Sequence, residues 1–301
     1  MALKRMHTSR SGKPRVIITT GDPSGIGPEV TRKALASPKV KRLADFLVIG
    51  DTRTSVRMRK SPAECGKLAI GYLDRALAII AKGEADCLVT APINKANVRA
   101  AGFKDFEGHT EYLAEGTLTK DYAMMFVGKR MKITLVTRHV ALKDVPKRLT
   151  ADKILTAILL THRYLSDHFH LKCPKIAVAG LNPHAGEGGI FGREEIEIIS
   201  PAIKKASGSC GKVFGPFPPD VVFGDALNGK YDAVIAMYHD QGLIPFKLLY
   251  FKDGVNMTIG LPFVRTSPDH GTAFDIAGKG IADPSSMIEA IILACRLANH
   301  S

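Results

Sequence analysis

Short runs of consecutive apolar residues recur along the chain, and apolar residues return every three or four positions in the stretches between them. The runs are VIIT at 16–19, DFLVIG at 45–50, CLVTA at 87–91, ITLVT at 133–137, IAVAG at 176–180 and AVIAM at 233–237. Strands that alternate with helices are typical of an α/β fold. Because the runs lack polar alternation, we expect strands of a largely parallel sheet that is covered on both faces.

One helix has recognisable ends in the sequence. The segment from Ser61 to Glu64 combines a capping hydroxyl, a first-turn proline and a glutamate at the capping-box position. Apolar residues then recur at helical spacing as far as Ile80, and Gly83 is expected to end the helix. We interpret this apolar stripe as part of the core.

Composition excludes several classes of protein. With 301 residues, 45% of them hydrophobic and 24% charged, the chain can bury a large core in one or two domains. No apolar run approaches the roughly 20 residues of a membrane-spanning helix, and the N-terminus lacks the hydrophobic centre of an export signal. We therefore expect a cytoplasmic protein with no membrane partner. The five cysteines are scattered without a CxxC pair, which favours reduced thiols.

The formal net charge of +13 is compatible with nucleic acid, an anionic surface or phosphorylated small molecules as partners. Lys and Arg are spread along the chain, with local excess only in the first fifteen residues and around 53–60. This distribution favours a phosphorylated small molecule and makes nucleic-acid binding the minority alternative. Residues 1–14 are expected to form a basic flexible tail.

Three histidines share a setting, because His139, His184 and His239 each follow a predicted buried strand. Loops at the carboxyl ends of parallel strands converge on one edge of a sheet, so these imidazoles can form a catalytic metal site. For any one histidine alone, a hydrogen bond within its loop is the favoured interpretation; the shared placement favours ligation. Asp240 and Gln241 are candidate partners of a ligating histidine or proton-handling groups.

Two further segments suggest anion binding. The turn at 21–29, GDPSGIGPE, leads from a strand into a helix and can hold an anion, although a tight turn without a ligand explains it equally well. It is neither a GxGxxG fingerprint nor a P-loop. Candidate contacts for an acid carrying carboxylate and phosphate are His109, Thr110, Lys247, Asn256 and Arg265. The alternatives are a helix-capping role for Thr110 and ordinary surface positions for the others.

Five segments together carry a family resemblance: GDPSGIGPEV, GHTEYLAE, GLNPHAGEGGIFGREE, MYHDQGLIPFK and GVNMTIGLPFVRTSPDHGTAFDIAGKGIADPSSM. In this order they resemble the 4-hydroxythreonine-4-phosphate dehydrogenase family of pyridoxal phosphate biosynthesis, over nearly the whole chain from Arg15 onward. The resemblance implies NAD- or NADP-dependent oxidation of 4-hydroxythreonine 4-phosphate to a β-keto acid, which loses carbon dioxide to give 3-amino-2-oxopropyl phosphate.

The same resemblance implies roles for particular residues. A divalent metal (zinc, magnesium or cobalt) is expected on His139, His184 and His239, in a site shared across a homodimer. The substrate is expected to contact His109, Thr110, Lys247, Asn256 and Arg265, with Lys247 or Asp240 transferring the proton. Compared with the family, the stretch between Asp51 and Ser61 is short.

A second likeness concerns the segment 270–284, which is similar to the adenosine-binding loop of isocitrate and isopropylmalate dehydrogenases. The implied cofactor contacts are Gly271, Thr272, Ala273, Asp275 and Asp283, although relatives often carry Asn at the last position. The likeness implies two α/β domains with a cleft between them: an outer domain of 15–130 with 266–301, and a central domain of 131–265 that carries the metal ligands and dimer contacts.

Two other functions remain open at this point. Within the family, a dehydrogenase of 4-phospho-D-threonate or D-erythronate would present the same motifs. More remotely, a metal-dependent hydrolase or acyltransferase of similar fold would use three histidines without a nicotinamide cofactor, and the 270–284 segment argues against it.

Overall fold

The computed structural model describes residues 12–52 and 61–298. Most of the expected basic tail therefore lies outside the described residues, and so do residues 53–60, which make up most of the short stretch before Ser61. Within the described ranges, no helix combines the length and the apolar character that a membrane crossing requires.

Strands and helices alternate along the described chain, which confirms the α/β class. The strands are β1 (Arg15–Thr19), β2 (Asp45–Ile49), β3 (Cys87–Thr90), β4 (Ala123–Val127), β5 (Lys132–Leu135), β6 (Ile176–Ala179), β7 (Val213–Phe217), β8 (Ala233–Ala236), β9 (Val255–Ile259) and β10 (Val264–Pro268). The helices are α1 (Gly27–Ala36), α2 (Pro62–Ala81), α3 (Lys95–Ala100), α4 (His109–Gly116), α5 (Val145–Arg148), α6 (Ala151–Asp167), α7 (Ser200–Cys210), α8 (Pro219–Leu227), α9 (His239–Tyr250) and α10 (Ser285–Ala298). All six predicted apolar runs coincide with strands.

The chain divides into two compact units. The first contains the described residues up to 120, residues 255–257 and those from 261 onward, and the second contains 121–254 and 258–260. Strand β9 thus contributes residues to both. The expected domain limits, at 130/131 and 265/266, lie ten and five residues beyond the divisions at 120/121 and 260/261.

In the first unit the strand order is β2-β1-β3-β10, and the neighbouring strands are parallel. Strand β2 stands at the end of this order, and Leu47 in it is 42% exposed. The expectation that every apolar run is covered on both faces is therefore wrong for β2, because an outer strand is covered less completely than an inner one. Helix α2 begins as predicted, since Ser61 and Glu64 form a capping box.

In the second unit the order is β4-β5-β8-β6-β7, with β4 antiparallel to β5 and the other neighbours parallel. Side chains of a strand point alternately to its two faces. In β8, Val234 and Ala236 pack in one apolar cluster with Phe246 of α9, whereas Ala233 and Ile235 pack in another with residues of α6 and α7. The inner strands of this sheet are therefore covered on both faces, as expected.

The glycine turn before α1 serves as a support for the segment 270–284. Asp22 in the turn is fully buried and accepts hydrogen bonds from Ser24 N at 2.9 Å and Asn97 Nδ2 at 2.8 Å. Ile26 N donates to Thr272 O at 2.9 Å. A Cβ atom at Gly25 would lie 2.9 Å from the same carbonyl oxygen, so only glycine allows this close approach.

Helix α1 holds the same segment through a buried carboxylate. The Glu29 side chain has no exposed surface and accepts hydrogen bonds from Ala282 N at 3.0 Å and Gly280 N at 3.2 Å. Lys33 Nζ lies 2.8 Å from Glu29 Oε1 and donates to the carbonyl oxygens of Gly280 and Ala282. Burial by itself raises the pKa of Glu29, but the hydrogen bonds from Lys33 and the two amides bring it below its ordinary value.

Replacing Glu29 with Gln should lower the free energy of unfolding at neutral pH by about 1 to 3 kcal/mol, because the charge-assisted hydrogen bonds are lost in a buried place. A lowered pKa in the folded state means that the stabilisation is complete above the ordinary value of 4.5 and disappears as the pH falls through the lowered value. Denaturant unfolding of both proteins at a series of pH values checks this. A difference that persists unchanged into strong acid would contradict it.

Candidate active site

A buried cation in the first unit marks a place for an anion. Arg265 lies in β10, is 2% exposed, and donates from Nε and Nη2 to Thr90 Oγ1 at 3.1 and 2.6 Å. Burial lowers the pKa of Arg265 to about 9, against the opposite effect of the Glu111 carboxylate. The guanidinium therefore remains charged at neutral pH, and a charged planar fork out of bulk water suits a carboxylate or phosphate.

His109 stands at the start of α4, under the influence of the same charge. Burial of the imidazole, with the nearby positive charges of Arg265 and Lys95, brings the pKa of His109 well below its ordinary value. The ring is therefore neutral at physiological pH. Its Nε2 atom is buried and has no hydrogen-bond partner within the described ranges. A buried polar atom without a partner is costly, so this atom is a candidate ligand contact.

The other predicted substrate contacts are distributed over both units. Thr110 is buried in α4 beside His109, and in the first-unit part of β9 the Oδ1 atom of Asn256 is buried without a hydrogen-bond partner among the described residues. Lys247 lies on α9 in the second unit and is partly exposed. The structure thus brings Arg265 within electrostatic range of His109, whereas Lys247 belongs to the other unit.

The three predicted metal ligands all follow the carboxyl ends of strands in the second unit: His139 and His184 in loops, and His239 as the first residue of α9. The ring centroids of His139, after β5, and His239, at the start of α9, are 5.9 Å apart. His184 lies in a 3-10 turn at Pro183–Gly189, after β6, and its ring is 6.0 Å from that of Phe191. In residues 12–52 and 61–298 of one chain, no three His, Cys, Asp or Glu side chains form a metal-binding group. Two of the three histidines are therefore neighbours, and His184 does not complete a group with them within one chain.

Asp240 is a hydrogen-bond partner of a predicted ligand. Its Oδ1 atom lies 2.7 Å from His239 Nδ1. A carboxylate on one ring nitrogen fixes the ring orientation and the tautomer, and it leaves Nε2 to bind another group. This contact favours an orienting role for Asp240.

The loop that carries His184 has an unusual backbone. Six consecutive residues have positive φ angles: His184, Ala185, Gly186, Glu187, Gly188 and Gly189. Residues other than glycine disfavour positive φ angles. Where they adopt them, the positions cluster at functional sites.

The segment 270–284, predicted to bind a dinucleotide, is a loop in the first unit. Gly271 and Asp275 are exposed, whereas Thr272 and Ala273 are partly buried. Asp283 Oδ1 accepts hydrogen bonds from Ser285 N at 2.9 Å and Ser285 Oγ at 2.6 Å, at the start of α10. The carboxylate of Asp283 is therefore engaged in capping a helix.

Sequence reasoning overlooked two residues that act on this site. Thr90, the hydrogen-bond acceptor for Arg265, is the next-to-last residue of the predicted run at 87–91, and a single polar residue at the end of an apolar run is the signal that identifies it. Lys95, whose charge acts on His109, begins α3, and only the fold shows their proximity.

Comparison with known sequences supports the resemblance. The family model described as "Pyridoxal phosphate biosynthetic protein PdxA" matches residues 19–294. The 4-hydroxythreonine-4-phosphate dehydrogenase of Desulforapulum autotrophicum is 44% identical, over 94% of this chain and 95% of its own length. The D-threonate 4-phosphate dehydrogenase of Salmonella typhimurium is 41% identical, over 94% of this chain and 98% of its own length. The first of these alignments has 323 positions, more than the 301 residues here, so that relative contains positions without a counterpart in this chain.

Comparison with solved structures agrees. The crystal structure of 4-hydroxythreonine-4-phosphate dehydrogenase from Klebsiella pneumoniae matches with a TM-score of 0.85 and 38% identity, over 97% of this chain and all of that one. An isocitrate dehydrogenase from Methylococcus capsulatus matches with a TM-score of 0.51 and 15% identity, over 91% of this chain and 83% of that one, a likeness of fold alone. The expected fold class is therefore confirmed, and the chain belongs to the family of the pyridoxal phosphate biosynthetic protein PdxA.

Proposed function

We propose that this protein is a dehydrogenase that oxidises the secondary alcohol of 4-hydroxythreonine 4-phosphate with NAD or NADP. Hydride leaves the carbinol carbon for the nicotinamide, and the hydroxyl proton is released. The resulting β-keto acid then loses its carboxylate as carbon dioxide and takes up a proton at carbon, giving 3-amino-2-oxopropyl phosphate. Support comes from the names of the relatives and from one observation above all: the buried cation of Arg265 acts on a neutral His109 whose Nε2 has no hydrogen-bond partner among the described residues.

The binding roles follow from the chemistry of the side chains. Arg265 binds an anionic group of the substrate, because a buried guanidinium retains its charge and offers parallel donors. His109 stays neutral, so its Nε2 makes one hydrogen bond to the substrate without adding charge. Asn256 Oδ1 accepts a hydrogen bond from a hydroxyl or amino group. These contacts fix the orientation of the substrate, so that its carbinol carbon would be held in one position relative to a bound nicotinamide.

The residues for a divalent metal are His139, His184 and His239. The ring centroids of His139 and His239 lie 5.9 Å apart, so these two imidazoles are close enough to approach one cation together. Imidazole ligands favour zinc or cobalt over magnesium. A bound cation would supply Lewis acidity to the alcohol and the carbonyl oxygen. Asp240 orients His239, which leaves Lys247 as the candidate for proton transfer.

The homodimer is the remaining part of this proposal. Ile244, Leu248 and Phe251 lie along one side of α9 and its end, at helical spacing, and are 60%, 81% and 74% exposed. An apolar stripe of this kind on a soluble protein is typical of a contact surface. Because the stripe begins five residues after His239, a second copy packed on it would stand near that histidine and supply a ligand to the set that the described residues of one chain do not complete.

A dehydrogenase of D-threonate 4-phosphate is the second candidate, since relatives with that name are 40 to 42% identical to this chain. The two substrates differ in an amino group against a hydroxyl group, and the phosphate and the oxidised alcohol are common to both.

We expect turnover of 4-hydroxythreonine 4-phosphate with NAD or NADP that disappears after chelation and returns with zinc or cobalt. A parallel assay with D-threonate 4-phosphate and D-erythronate 4-phosphate, each with both cofactors, decides the substrate by kcat/KM.

Replacement of His184 with Ala should abolish metal retention and leave the fold intact, because the residue lies on an exposed loop. Full activity of the chelated protein would refute the metal role, and no reduction of nicotinamide with any substrate would refute the proposed function.

Replacing Arg265 with Lys should raise KM for the phosphorylated substrate by about 10- to 100-fold, since the charge remains but the planar fork is lost. Steady-state kinetics measure this. Arg99, which donates from Nε to Phe106 O at 3.3 Å in the same unit, supplies the matched control as Arg99→Lys. Equal KM values in the two variants would contradict a substrate contact for Arg265.

Replacing Leu248 with Glu should convert the protein from dimer to monomer and reduce kcat strongly, because a charge would be buried in the proposed contact. Sedimentation velocity reports the mass. Leu118→Glu is the control, because Leu118 is 90% exposed but lies outside the stripe. A monomeric wild type would overturn this part of the proposal.

A further inference from the structure

The carboxyl ends of β5 and β8 are joined by a buried threonine. Thr137, just beyond β5, donates from Oγ1 to Met237 O at 2.7 Å and from its backbone N to the same oxygen at 3.1 Å. Thr137 precedes His139 by two residues, and Met237 precedes His239 by two. The backbones leading to these two histidines are therefore fixed to one another.

Gln241 extends this connection to β6. It lies in the first turn of α9, is 8% exposed, and accepts a hydrogen bond from Met237 N at 2.7 Å through Oε1. Its Nε2 donates to Gly180 O, also at 2.7 Å. Gly180 is the first residue after β6 and packs closely on Ala185, since a Cβ at position 180 would lie 2.9 Å from the Cα of Ala185. One amide side chain thus ties the end of β8 to the loop that carries His184.

Glu195 holds the other side of that loop. Its side chain is nearly fully buried, and Oε1 accepts hydrogen bonds from Leu181 N at 2.7 Å and Asn182 N at 2.8 Å. Its Oε2 accepts from Asn182 Nδ2 at 3.0 Å. The same carboxylate packs on Gly186, where a Cβ would lie 2.6 Å from Oε2. Glu195 therefore contacts the loop on both sides of His184. It binds backbone amides before His184 and packs on Gly186, in the stretch of positive φ angles, after it.

We propose that Gln241 and Glu195 are positioning residues that hold the loops of His139, His184 and His239 in the arrangement a divalent cation requires. The hydrogen bonds lie at the strand ends that carry the histidines, not in the interior of the sheet. Groups that orient metal ligands typically change affinity by about 10- to 100-fold when they are removed. The proposal rests on the proposed function, because it takes the three histidines as ligands.

The test measures the Kd of Co²⁺ for the metal-free protein of 301 residues. The visible absorption of the bound ion is the signal. Gln241→Met keeps the side-chain length and removes both hydrogen bonds, and Glu195→Gln removes the charge at nearly constant shape. We expect each variant to bind Co²⁺ about 10- to 100-fold more weakly than wild type, with an altered absorption band. Circular dichroism and melting of the metal-free proteins report the fold; if Glu195→Gln does not fold, Gln241→Met decides.

Thr161→Val is the matched control. Thr161 on α6 donates to Thr134 Oγ1 at 2.8 Å, a buried side-chain hydrogen bond in the same unit that does not involve the residues leading into the histidine loops. Its loss should lower the melting temperature and leave Co²⁺ affinity within error of wild type.

The outcomes separate the two proposals. Tight Co²⁺ binding by wild type and by the control, with weaker binding by Gln241→Met, supports the positioning role. Equal affinity in all variants overturns it and leaves the proposed function intact. A wild type that turns over substrate but binds no Co²⁺ overturns it together with the metal role of the histidines.

Discussion

The parallel register of β5, β8 and β6 is the constraint on which the second unit depends. Leu135 pairs with Ala236, and Val178 pairs with Ile235, so the three strands end at nearly the same level. Parallel strands with matched ends deliver their following loops to one edge of the sheet. The histidines follow those ends after three to five residues, and their proximity therefore begins in backbone pairing, not in any attraction between the rings.

Buried charges in this protein are used to fix loops and to recognise anions. Glu29 binds backbone amides of the segment 270–284, and Glu195 binds backbone amides of the His184 loop. Arg265 donates hydrogen bonds to Thr90, and its charge acts on His109. A buried ion is tolerated only with such partners, because removal from water is costly. The two glutamates therefore hold the backbone of their loops in defined positions, and Arg265 is suited to hold an anionic ligand.

The sequence predicted the parts of the fold that apolar periodicity controls. Six strands, the capping box of α2 and the parallel arrangement of most strands follow from local pattern, whereas the strands β4, β7, β9 and β10 were not among the predicted runs. Strand β7 contains Gly215 and Pro216, and β10 contains Arg265, so neither sequence has the uninterrupted apolar run that predicts a buried strand. Burial of an arginine inside a strand depends on Thr90, a residue 175 positions away.

For the candidate site, the sequence identified side chains that can bind a metal or an anion and named Gln241 as a candidate partner of a histidine, but it did not identify Glu195 or the backbone groups that these two side chains contact. The contact of Gln241 with Gly180 spans 61 residues, and that of Glu195 with Leu181 spans 14. No periodicity encodes either pairing. The predicted roles of the individual site residues accordingly remain proposals, whereas the family follows from similarity along nearly the whole chain.

The backbone around His184 gives an argument for function that does not depend on any relative. Glycine occupies positions 186, 188 and 189, where the chain needs positive φ, but His184, Ala185 and Glu187 take the same conformation with side chains. Glycine at position 184 would relieve the disfavoured conformation. A histidine there is therefore unfavourable for the loop alone, and Glu195 and the packing of Gly180 on Ala185 offset that penalty. The simplest physical reason for such an arrangement is that the imidazole itself is required at this place.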